Sequence, residues 1–205
     1  MPPHRISVLG LLLALALPAP AAAQTGDAAR FAAFAKRARA TGTLNFNISF
    51  KSDPGTCTQA GTCGLSGTVR TRLALRSTEP LRVGATVVRL PVHGIATARL
   101  RDTVAGRTCN DKVRIDSVGL AYTGDSKGLL LRPRAAPGED PFATHCRGPR
   151  LADFGAKALA PGRLRGIGPN VGALRLTMKA TRFVKARGYS ATVTSNGRLR
   201  LTHKQ

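Results

Sequence analysis

The sequence predicts an all-β domain, an antiparallel β-sandwich or partly open barrel built around a duplicated β-hairpin, with a short N-terminal helix or leader. Three observations predict it. Apolar residues alternate with polar ones through most of the chain after residue 42. No long helical period intervenes, and two hairpin-sized stretches near the ends of the domain echo one another.

Residues 1–23 read as a cleavable secretory signal peptide. Arg5 supplies the positive start, Ile6 to Leu17 is an almost unbroken apolar run, and Pro18 and Pro20 end it. Ala21-Ala22-Ala23 then offers the small side chains that a signal peptidase accepts. A bilayer-spanning helix needs roughly 20 apolar residues, so this run is too short for an anchor. Cleavage is expected after Ala23. The protein is then secreted, extracellular or periplasmic, with no integral membrane segment after cleavage.

Residues 24–41 form a basic amphipathic leader, helical or partly disordered. Ala28, Phe31, Phe34, Ala35 and Ala38 share one helical face, with Arg30, Lys36, Arg37 and Arg39 around the rest. Such a helix packs against the domain or lies on an anionic membrane.

Residues 42–205 are read as a single β domain. Leu44, Phe46, Ile48 and Phe50 alternate with Asn45, Asn47 and Ser49, a half-buried strand. Val69, Thr71, Leu73 and Leu75 alternate with Arg70, Arg72, Ala74 and Arg76. Leu81, Val83, Ala85 and Val87 hold one parity and Val88, Leu90 and Val92 the other, which predicts a bulge. Further strands are expected at 94–104, 112–122 and 127–132, the last two joined by a turn around Gly124-Asp125. Leu174 to Ala180 and Tyr189 to Thr202 close the domain. The echo relates Gly64–Arg76 to Gly188–Arg200, identical at 6 of 13 positions, each preceded by a Gly-led strand starting at Gly42 or Gly172. A duplicated hairpin of this kind frames two packed sheets. Between residues 133 and 150 lies a long Pro-rich loop, a length that marks a mobile or functional segment.

Four cysteines in an exported chain imply disulfides. Cys57 and Cys63 share one turn-rich loop, which pairs Cys57–Cys63 and leaves Cys109–Cys146. Neither pair has the two-residue spacing of a thiolate–metal site, and no metal or other cofactor is expected.

Charge is the main functional signal. Lys and Arg number 32 against 10 Asp and Glu, a formal net charge of +22. Such a balance attracts polyanions. Codon bias toward Arg accounts for Arg over Lys but not for the shortage of acids. The chain has no Trp, 2 Tyr and 7 Phe, several with core parity. Few aromatic platforms remain to stack bases or sugars, so no specific nucleic acid is expected. The candidate binding residues are Arg70, Arg72 and Arg76 on one strand face and Arg198 and Arg200 on another. Arg132, Arg134, Arg147 and Arg150, in and around the Pro-rich loop, join them. The expected partner is an anionic polymer, cell-wall or membrane surface.

No catalytic motif reaches a specificity that names a reaction. Gly124-Asp-Ser-Lys-Gly128 and Ala143-Thr-His-Cys146 resemble the serine and histidine segments of chymotrypsin-like proteases, but their order is inverted, and Ser126 is read as a turn residue. His93, His145 and His203 lack ligand spacing, with His203 expected at a frayed strand end. Glu139-Asp140 is read as a Gly-Glu-Asp-Pro turn, and Asp102, Asp111, Asp116 and Asp153, scattered among cations, are expected to pair with surface Arg. The leading reading is therefore a non-enzymatic binding or interaction domain. A structural cell-surface component with incidental charge is the alternative, as is a hydrolase with an unrecognised site. A clustered Arg patch favours the first, scattered Arg the second, and a cleft joining His145 to a carboxylate the third.

Overall fold

The computed structural model describes residues 22–53, 64–77, 79–125, 128–134, 139–146, 162–164, 172–186 and 188–203. Of the expected features, the apolar run of the signal, Cys57, Cys63, Ser126, Arg147, Arg150 and Asp153 lie outside these residues.

Among the described residues one helix, α1 (Ala22–Ala35), leads into nine strands: β1 (Ala38–Ser52), β2 (Leu65–Arg76), β3 (Arg82–Val83), β4 (Val87–Asp102), β5 (Arg107–Asp125), β6 (Gly128–Pro133), β7 (Gly162–Leu164), β8 (Ala173–Ala186) and β9 (Tyr189–His203). All pairings are antiparallel, and the sheet order is β7-β6-β5-β4-β2-β1-β9-β8, with β3 added on β4. The all-β expectation holds. It holds in its partly open barrel form, because the strands make a single continuous sheet. The echoing hairpins β1–β2 and β8–β9 lie side by side because β1 pairs with β9 from Ala38↔His203 to Ser52↔Tyr189. The two end strands then approach each other: a Cβ on Gly162 of β7 would overlap the side chain of Leu176 on β8. The sheet is rolled nearly into a barrel.

Alternation decides which face turns inward. Leu44, Phe46, Ile48 and Phe50 of β1, Val69, Leu73 and Leu75 of β2, and Leu90, Ala96 and Leu100 of β4 are all buried. Their neighbours at odd spacing are exposed or half-buried. Strand β1 starts at Ala38, so Gly42 lies inside it and residues 38–41 belong to the sheet. The helical form of the leader is the one adopted, and it docks on the domain. Phe31 is fully buried with its ring edge-on to Tyr122 at 5.2 Å, and Phe34 stacks on His203 at 4.2 Å. His203 is therefore anchored, not frayed, and its Nε2 lies 3.1 Å from the Phe34 carbonyl oxygen.

Three further expectations are corrected. The parity break at Val87–Val88 is a hairpin turn, because β3 folds back on β4 with Val83 opposite Val88 and the Gly84 amide bonded to the Val87 carbonyl. The bulge lies further on, between Pro91 and Gly94, where β4 carries one extra residue against β5. Gly124 and Asp125 are strand residues, paired with Leu129 and Gly128. In the Pro-rich connection, residues 139–142 and Cys146 are buried, with Phe142 1 % exposed and edge-on to Phe46. Thr71 donates its hydroxyl to the Pro141 carbonyl, and Cys146 is bonded to Cys109 as expected.

Candidate functional site

Three adjacent strands, β2, β4 and β5, gather five cations on one surface. In antiparallel strands, directly paired residues project to the same face. Ile95 of β4 pairs with Arg72 of β2 on one side and Arg114 of β5 on the other. Thr97 pairs likewise with Arg70 and Lys112, and Arg99 with Thr68 and Asn110. Because the opposite parity of each strand is occupied by core residues, these cations face outward. Alternate residues along a strand lie about 7 Å apart and neighbouring strands about 5 Å apart. Arg70 and Arg72 thus form one rail and Lys112 and Arg114 a second, about 10 Å away across β4. Arg99 stands between the rails, near their end.

The surface is concave here. These residues line a groove of about 1000 Å3, whose far wall is Thr43 and Asn45 of β1. The β4 bulge sits at the end marked by His93, and a bulge bends the strand that carries it. Ile95, 43 % exposed, lies on the floor.

Among the described residues no carboxylate lines the groove. Arg114 reaches Asp116 at 2.7 Å, but both side chains are mostly exposed, so the pair is weak and screened. Among the described residues, Arg70, Arg72, Arg99 and Lys112 have no ion pair. The acids nearby are engaged elsewhere. Asp102 accepts the amides of Val104 and Ala105 in its own turn, and Asp111 faces His145. Glu139 is held by Arg89 and by Arg134, the latter at 3.7 Å. Neighbouring cations about 7 Å apart lie within one Debye length at physiological salt, so their potentials add.

The structure sorts the residues singled out from sequence. Arg70 and Arg72 belong to the groove. Arg76 lies beyond it, in a row across four strands: Arg76 pairs with Thr41, Thr41 with Arg200, and Arg200 with Arg175. Arg198 pairs with Thr43 of the groove wall. The two Arg-bearing faces are therefore one continuous outer face. Arg134 is diverted to Glu139, and Arg132 is half-buried with a buried Nε that has no hydrogen-bond partner among the described residues. Glu139 is itself buried, not on the surface, and Gly119 leaves room for its carboxylate. Sequence reading missed Arg99, Lys112 and Arg114. Their alternation with apolar residues was visible, but their position opposite Arg70 and Arg72 depends on sheet order.

His145 does meet a carboxylate: its Nδ1 lies 3.3 Å from Asp111 Oδ2. The backbone amide of His145, its ring, and the Lys112 amide hold the Asp111 carboxyl below the usual range, against the opposing effect of burial. The imidazole is 84 % exposed, and the adjacent Cys146 sulfur is consumed in the disulfide. This pair clips a loop to β5. Among the described residues no cluster of His, Cys, Asp and Glu could hold a metal ion. Comparison with protein-family models, curated proteins and solved structures gives no match.

Proposed function

We propose that this protein is an exported, non-enzymatic binding domain that holds an anionic polymer in the basic groove across β2, β4 and β5. One observation carries the reading: five cations gathered in a concave surface that no carboxylate lines among the described residues. Their clustering favours binding over a structural role with incidental charge. Export is consistent with the disulfide at Cys109–Cys146. Cleavage after Ala23 would remove only the first two residues of α1 and leave Phe31 and Phe34 docked. The outward Arg residues also argue against a lipid-facing barrel, whose outer band is apolar.

Salt tests the proposal. Affinity for a polyanion should fall steeply with ionic strength, since binding releases counterions. Replacing Arg70, Arg72 and Arg99 by Ser should weaken binding and flatten the slope of log K against log salt by about 2, at roughly 0.7 per lost single-strand contact. The comparison variant removes Arg76, Arg175 and Arg200 instead. Equal losses from both triples would reduce the effect to bulk charge and overturn the site. Thermal unfolding should change little in either, because the inward faces are untouched.

A further inference from the structure

Resting on that reading, we infer that the groove takes one extended polyanion chain laid along β4, and neither a nucleic-acid duplex nor a membrane surface. The dimensions carry the argument. From His93 to Arg99 the floor runs six residues, about 20 Å at strand rise, and the rails stand about 10 Å apart. With Thr43 and Asn45 of β1 as the far wall the footprint is about 15 Å wide, so a volume of about 1000 Å3 leaves a mean depth of about 3 Å, room for a single chain and no second layer. Pockets of up to about 1000 Å3 accommodate a drug-sized body, here a few repeat units of a polymer.

The charges are arranged for the same occupant. Successive anions about 7 Å apart would meet first Arg70 and Lys112, then Arg72 and Arg114, with Arg99 ahead of both pairs. Arg forks can grip phosphate or carboxylate bidentately. The uncharged part of such a chain would lie over Ile95 and Thr97. Among the described residues no aromatic side chain lines the groove to stack on a base or a sugar ring. A duplex is read by a convex element entering a groove 6 to 12 Å wide, as a rule of recognition. Here the cations lie in a hollow. A planar bilayer would touch the rails and miss the floor.

The floor therefore distinguishes the occupants. Ile95→Glu places a carboxylate under the chain, and Thr86→Glu places the same charge in the exposed turn between β3 and β4. The probes are labelled inorganic polyphosphate, poly-glutamate, duplex DNA of matched charge number, and vesicles containing anionic phospholipid. Ile95→Glu should weaken polyphosphate binding about tenfold, because like charges in contact are costly, while Thr86→Glu changes it less than about twofold. Poly-glutamate should follow the same pattern if carboxylates are accepted, and be bound weakly by all forms if phosphate is required. Unfolding curves of both variants report folding directly. An effect of Ile95→Glu on duplex or vesicle binding as large as on polyphosphate would overturn the single-chain inference. So would loss of polyphosphate binding in the Arg70/Arg72/Arg99 variant with none in Ile95→Glu, a result that leaves the groove reading standing. Wild-type protein that binds no probe would overturn both.

Discussion

Replacing Cys109 and Cys146 together by Ser should cost the domain about 4 kcal/mol. The ring spans 37 residues, and the loop-entropy relation gives roughly that value at 25 °C. The native state offers little of its own to lose. Residues 139–146 stay docked through Phe142 in the core, the Thr71 hydroxyl on the Pro141 carbonyl, and Glu139 between Arg89 and Arg134. Most of the loss should therefore arise in the unfolded chain, which expands when the bridge is gone. Urea unfolding followed by far-UV circular dichroism suits a chain with no Trp. The expected result is a lower midpoint with an m-value that rises. Phe142→Ala supplies the contrast, since it acts on the native core and should cost roughly 3 to 5 kcal/mol. The two losses should add within about 0.5 kcal/mol, because one works on each end of the equilibrium. A cysteine variant that loses under about 1 kcal/mol, with m unchanged, would refute the unfolded-state account.

Peptide mapping of non-reduced protein should find Cys57 joined to Cys63 and Cys109 to Cys146; Cys57 bound to Cys109 or Cys146 would break the hairpin-loop argument. Replacing Cys57 and Cys63 should cost less than replacing the other pair, at about 2 kcal/mol for so short a ring. Asp111, whose carboxyl is held low chiefly by the His145 amide, should make stability fall in acid. Its folded pKa lies below the unfolded one, so the unfolded state binds more protons between the two values. The stabilisation is full above the ordinary carboxylate range and lost as pH drops through the folded pKa. Thermal unfolding of wild type and Asp111→Asn should differ at pH 6, with the gap narrowing as pH falls through and below the ordinary carboxylate range; parallel curves would remove Asp111 from the account.

The strands were legible because each long strand has one dry and one wet face, so Leu44 to Phe50 or Leu174 to Ala180 state their parity outright. Parity alone does not say why it breaks. A bulge and a hairpin turn both shift the period by one, and only the pairing of Val83 with Val88 separates them. The segment around Gly-Glu-Asp-Pro was illegible for a related reason. Its polarity reads as surface, yet Glu139 is buried with Arg89 of β4, 50 residues away in sequence, reaching it alongside its neighbour Arg134. His203 was misread in the same way, since its partner Phe34 lies near the other end of the described chain.

The groove shows the limit most clearly. Arg70 and Arg72 could be named from one strand, but Arg alternating on an outer strand face is ordinary. What distinguishes these two is the set of residues opposite them, and that is a property of register. The Arg76–Thr41–Arg200–Arg175 row sharpens the point, because it carries three cations on the same outer face of the same sheet. None of the three lines the 1000 Å3 groove. The two patches thus match in residue type and charge removed, and differ in the hollow. If long-range attraction by a chain of charge +22 were all that mattered, a polyanion would treat them alike. Preference for the groove requires contact at short range, where position decides and net charge does not. Comparing the two triples across salt therefore measures the hollow itself: loss of the groove triple should flatten the slope of log K against log salt more than loss of the other, so the difference between them is largest at low salt and narrows as salt rises.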